Sequence, residues 1–286
     1  MRQRSHAFHA LFFVFATLPI TFSSASAANP EGDVLRPDRL KSTPWYLGLD
    51  LGAQYARYFG THVYLAGNPL NGAVPLWSRF EDGDGFGAVL RAVVDIPVGE
   101  RVGIVGKLGY AMRNDTYTNT FDNPIFHLDP TSGFPATATL DAEMDVTVRF
   151  VTVDILLRWQ LSKRSWYALA GLSYASLLGN NASFSQCIVQ PQNVSYVGID
   201  GLPTGVRAVE LSDLEINGFE TSRMAVTLGV GTWIPLSKNV FFTPELCFDY
   251  PFSAFLDKPG EPLAFIPASD MRFMTVTLTA GLRFGM

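Results

Sequence analysis

Residues 274–286 alternate without a break. Met274, Val276, Leu278, Ala280, Leu282, Phe284 and Met286 are apolar, whereas Thr275, Thr277, Thr279, Gly281, Arg283 and Gly285 are polar or glycine. A period of two over such a length is a two-faced β-strand, because successive side chains of an extended chain point to opposite sides. The segment 45–56 repeats the pattern, with Trp45, Leu47, Leu49, Leu51, Ala53 and Tyr55 set against Tyr46, Gly48, Asp50, Gly52, Gln54 and Ala56. Six more stretches behave alike, near 84–96, 101–115, 141–160, 165–178, 219–234 and 239–252. In the fourth of the eight, the apolar phase runs through Val146, Val148 and Phe150 and then switches to Val151, Val153, Ile155, Leu157 and Trp159, which predicts a β-bulge near Phe150. The seventh contains Pro244, which deprives it of one ladder donor.

The connections alternate too. Short turns fall at Pro97–Glu100, Gln160–Arg164 and Pro235–Asn239, and long loops rich in Gly, Pro, Asn and Asp are expected at 58–83, 116–140, 179–218 and 253–270. Eight strands joined in this way predict an all-β fold, an eight-stranded antiparallel up-and-down transmembrane β-barrel with both termini on the short-turn side. Beyond the leader no apolar run approaches the roughly 20 residues of a transmembrane helix.

A soluble barrel turns its apolar face inward. Here the glycines Gly48, Gly52, Gly87, Gly103, Gly109, Gly171 and Gly281 share the polar face, where a narrow lumen leaves little room, and the bulky side chains share the other. The same polar face carries Asp50, Arg91, Asp95, Arg101, Lys107, Arg113, Asp154, Arg158, Glu245, Asp249 and Arg283. Charges confined together must pair to offset several kcal/mol of desolvation each, which predicts a cross-linked, filled lumen and no open channel.

Residues 1–28 read as a Sec signal peptide: Arg2 and Arg4 precede an apolar stretch from Ala10 to Ile20, and Ala25-Ser26-Ala27 supplies small residues for cleavage. Residues 29–43 then form a short periplasmic segment, and 44–286 the barrel. A formal charge of −5 argues against a nucleic-acid partner. Cys187 and Cys247 lie in no metal-binding spacing; the sequence allows one disulfide between them, or two separate thiols. No cofactor is expected. His62 and His127 are the histidines outside the leader, and neither sits in a His-x-Ser pairing, so no enzyme is expected. Glu81, Asp82 and Asp84 read as a solvated acidic turn ahead of a weak calcium site. The stretch 187–199 is apolar for a loop and is expected to fold back over the barrel mouth.

On these residues the chain resembles the small bacterial outer-membrane barrels of the OmpA, OmpX and PorT-like group. The carboxyl end, with Thr279, Gly281, Phe284 and Met286, is similar to the signal read by the barrel-assembly machinery, with Met286 in place of the usual terminal aromatic residue. Arg149 to Arg158 is similar to the fourth strand of PorT-like barrels, with Asp154 at the inward acidic position. The resemblance implies an outer-membrane monomer whose partners are lipid, the assembly machinery and an unidentified extracellular molecule. A structural or surface-interaction role is the leading expectation, with a small-solute pore or a lipid-modifying rim enzyme as alternatives.

Overall fold

The computed structural model describes residues 45–66, 76–123, 127–128, 137–161, 165–197, 202–214, 221–254, 256–258 and 269–286. The predicted leader and the segment 29–43 lie outside the described residues. Eight long strands make the body: β1 Tyr46–Ala66, β2 Leu76–Pro97, β3 Val102–Asn123, β4 Ala138–Gln160, β5 Trp166–Gln190, β6 Ser222–Thr232, β7 Val240–Pro251 and β8 Ser269–Gly285. Each pairs antiparallel with its sequence neighbours, and β8 closes on β1 from Tyr46↔Gly285 to Thr61↔Asp270. Closure leaves no open edge in this part of the ladder, which is what backbone needs in order to survive in hydrocarbon.

Burial along the strands is inside-out. Leu49, Leu51, Phe86, Leu90, Ile104, Leu108, Ile155, Leu157, Leu228 and Leu282 are exposed on the outer surface, whereas Asp50, Arg91, Asp95, Lys107, Asp154, Arg158, Glu245 and Arg283 are buried. The outer belt on β2 runs from Phe86 to Ile96, about 33 Å along the strand and about 25 Å tall once tilted by roughly 40°, the height of a lipid-facing band. Exposed Tyr110, Tyr174, Tyr250 and Phe252 edge it on one side and Trp45, Trp159, Trp166 and Phe284 on the short-turn side. Aromatic residues at both margins suit a membrane–water interface.

Several strands run far past this belt. β5 has 25 residues and β4 has 23, against the roughly 9–11 that a bilayer requires. Much of what reads as loop at 58–83, 116–140 and 179–218 is therefore continued strand. The reason is visible on β4. Its even positions point inward throughout, but what stands outside changes: below, Val153, Ile155, Leu157 and Trp159 are exposed, and above, Asp141, Asp145 and Arg149 are exposed while Leu140, Met144, Val146 and Val148 are buried. The barrel's polarity inverts where lipid gives way to water.

This corrects the cause assigned to the phase change in the fourth strand. A register shift does occur between Arg149 and Phe150, but the extra residue, Leu178, belongs to β5, and β4 pairs with β3 without interruption. β4 keeps its facing, and the apolar phase changes because the surroundings do. Pro244 pairs in register with Ala280 of β8, and the ladder from β7 to β6 starts at Glu245, one residue beyond it.

Candidate functional site

The lumen is built in layers by inward positions of all eight strands. At the short-turn end Tyr46, Trp233, Phe241 and Tyr167 close it, with the Trp233 ring 5.0 Å from Tyr46 and 5.2 Å from Phe241. Just inside, Arg158 pairs with Asp95, Nε to Oδ2 at 2.8 Å, and lies over the Trp233 ring. The next layer is one network. Arg283 donates to both oxygens of Asp50 and lies 3.3 Å from Glu245; Lys107 pairs with Glu245 and stands 3.5 Å from Asp50; the Tyr167 hydroxyl donates to Glu245 at 2.7 Å. Gly281 makes this approach possible: a Cβ there would collide with Asp50 Oδ1 and lie 2.6 Å from Thr243 Oγ1.

Farther along, Arg91 faces Asp154 at 3.6 Å, and Ser173 donates to Asp154 at 2.5 Å. Asp249 accepts from Thr227 at 2.7 Å and from Thr275 at 2.6 Å. Near the outer margin Arg113 pairs with Asp115 at 2.6 Å, Tyr58 bonds to both, and the Phe273 ring is sandwiched between the guanidinium groups of Arg113, 4.1 Å away, and Arg223, 3.8 Å away. Above this the interior is packed and mostly apolar, with Phe80, Leu140, Met144, Phe184, Ile188, Val194, Tyr196 and Val209 buried together with His62, Ser78 and Gln186.

Of the charged residues assigned to the lumen from sequence, one is misplaced. Arg101 is exposed in the turn between β2 and β3, because the ladder begins only at Val102 and alternation does not orient a turn residue. Asp115 and Arg223 were missed. Both lie within the expected strands and have their inward parity, Arg223 next to outward Met224, but each stands at the end of the apolar alternation, Asp115 beyond Met112 and Arg223 before Met224, where few apolar neighbours mark the face. With them, the buried charges among the described residues are six basic and six acidic.

Both thiols are free. Cys247 is buried in the lower lumen, whereas Cys187 lies high on β5 opposite Asp141, so the bridge left open by the sequence is not formed. Burial, then Asp141, push the Cys187 thiol above its usual range. His62 is buried and stacks on Phe80 at 6.3 Å; the His127 side chain and Ile199 lie outside the described residues. Asp82 is bonded to Arg57 at 2.7 Å and Glu81 to Arg79 at 3.2 Å, and no group of three metal-ligating side chains converges among the described residues.

A closed antiparallel ring with charges inside and a greasy belt of bilayer height outside leaves one reading. The fold is that of a small outer-membrane β-barrel. No protein-family model and no curated protein matches the chain. Among solved structures it is similar to Ail, the attachment invasion locus protein of Yersinia pestis, at 11% identity over 84% of this chain and 98% of that one, with a TM-score of 0.28. It is similar also to the outer membrane protein OprG from Pseudomonas aeruginosa, at 9% identity over 84% and 96%, with a TM-score of 0.32. A third match is the outer membrane protease OmpT from Escherichia coli, at 7% identity over 85% and 96%, with a TM-score of 0.32. The ladder and the belt decide the fold without them.

Proposed function

We propose that this barrel is a non-conducting, non-enzymatic outer-membrane protein, delivered by a cleaved leader at 1–28 and folded by the barrel-assembly machinery. It acts as a structural or surface-interaction protein through the wall that β1–β5 raise above the lipid belt. The observation that carries this is the filled lumen: a charge-balanced network capped at one end by Tyr46, Trp233 and Phe241 and at the other by the apolar cluster around Phe80, Met144 and Tyr196. A pore would need a continuous wet path, and each paired charge lining this one would cost several kcal/mol to separate. The wall offers a partner a surface of hydroxyls and carboxylates, with Thr116 donating to Asp145 at 2.6 Å, Thr120 to Asp141 at 3.1 Å and Thr139 to Asp122 at 2.7 Å.

Planar-bilayer recording of the purified chain tests the reading. It is expected to give no stable unit conductance; reproducible single-channel steps would make the solute pore the better account. Shortening the wall one hairpin at a time and scoring binding to host or neighbouring cells locates the partner.

A further inference from the structure

The three short turns carry a repeated construction that neither the lumen nor the outer wall uses. The residue after β2, the residue after β4 and the residue after Ile234–Pro235 are Val98, Leu161 and Leu236, and they are 57%, 56% and 60% exposed. Each donates its amide to a residue that opens the next strand: Val98 to Val102 at 3.0 Å, Leu161 to Trp166 at 3.1 Å and Leu236 to Val240 at 2.9 Å. In two of the turns the following amide, of Gly99 or Ser237, closes on the same carbonyl. These bonds meet one or two donors of each turn within the turn itself, which lowers the cost of placing it where water is scarce. The three apolar side chains extend the lower belt beyond Ile96, Trp159, Trp166 and Phe284. Among the described turn residues, exposed Arg101 and Lys238 stand beside them, with exposed Glu100 next to Arg101, whereas the exposed surface just above the belt on β2–β4 carries Glu81, Asp82, Asp84, Asp122, Asp141 and Asp145 against Arg79 and Arg149.

We propose that the short-turn rim binds anionic phospholipid of the periplasmic leaflet. Val98, Leu161 and Leu236 enter the acyl layer, and Arg101 and Lys238 meet the headgroup phosphates. The inference rests on the bilayer-spanning reading of the belt. A basic residue held at an anionic surface favours the charged lipid by roughly fivefold, and an apolar neighbour anchors it at that depth.

The test places the full chain in nanodiscs of phosphatidylcholine with a minority of phosphatidylglycerol and measures, by gentle extraction and mass spectrometry, which lipids remain bound. Phosphatidylglycerol is expected to be enriched about fivefold or more over its bulk fraction. Arg101→Glu combined with Lys238→Glu should abolish the enrichment, Val98→Ser with Leu161→Ser and Leu236→Ser should weaken it, and Arg57→Glu above the belt should leave it unchanged. Resistance of the folded band to SDS checks that each variant still forms a barrel. No enrichment in the parent, enrichment that survives the rim charge reversal, or equal loss with Arg57→Glu would overturn the proposal. Failure of the parent to enter nanodiscs would instead overturn the bilayer reading beneath it.

Discussion

Arg283 of β8 and Asp50 of β1 are joined by two hydrogen bonds across the seam where the barrel closes, 233 residues apart in sequence, with Nη2 to Oδ2 at 3.1 Å. The first and last strands are thus tied by charge as well as by backbone. Glu245 and Lys107 extend the tie to β7 and β3. Removing one member strands the others in a space that water does not reach, so Asp50→Ala or Arg283→Ala is expected to lower unfolding free energy in lipid vesicles by about 3–5 kcal/mol. Urea titration followed by tryptophan fluorescence measures this. Replacing both by apolar residues of similar volume should cost less than either single change, because no unpaired charge is left.

Gly281→Val should be worse than its size alone implies. The added carbon meets Asp50 and Thr243 at the centre of the same network, and backbone on that strand is held on both sides, by β1 and β7. The variant is expected to lose its SDS-resistant folded band, whereas Ala280→Val, on the exposed face of the same strand, should keep it.

The inversion of polarity on β4 makes opposite demands on neighbouring positions. Ile155→Arg places a guanidinium in lipid and should cost about 2–4 kcal/mol or block insertion. Asp145→Leu, on the same face but above the belt, should be tolerated, and Met144→Asp beside it should not, since Met144 is fully buried. Folded yield in liposomes across the three variants reads the order.

Thiol chemistry separates the two cysteines. In the folded protein Cys187 is expected to alkylate slowly at mildly alkaline pH, because burial and the Asp141 carboxylate hold its thiol above the usual range and keep thiolate scarce. Asp141→Asn should speed it. Cys247 is expected to react only after denaturation, since it is buried in the lumen. Mass spectrometry of alkylated protein prepared without reductant should find both thiols free to react once the chain is unfolded.

The barrel was legible in the sequence because a period of two is local: each strand of the belt announces itself by lipid-facing residues such as Leu278 and Leu282 against Thr279 and Arg283. The height of the wall was not, because above the bilayer the same period persists with its sense reversed. Thr118, Thr120 and Asp122 look like loop if apolar residues are expected outside, and like strand once water replaces lipid there. Most of the lumen charges follow from parity alone. Which charge pairs with which does not, since Lys107 meets Glu245 across the lumen from a strand that is not its ladder neighbour. Arg101 shows the other limit, where the ladder has not yet started and alternation says nothing.

A nitroxide scan along β4, in a background with Cys187 and Cys247 replaced by serine, reads the surroundings of each face of the barrel wall position by position. With the protein in liposomes, accessibility to oxygen and to a water-soluble relaxant should divide three ways. Outward positions Val151, Val153, Ile155, Leu157 and Trp159 should respond to oxygen, outward positions Thr139, Asp141, Glu143, Asp145 and Thr147 to the aqueous relaxant, and the inward positions between them to neither. Oxygen access at the inward positions, or aqueous access at Ile155 equal to that at Asp145, would contradict a barrel with its greasy face in lipid and its polarity reversed above it.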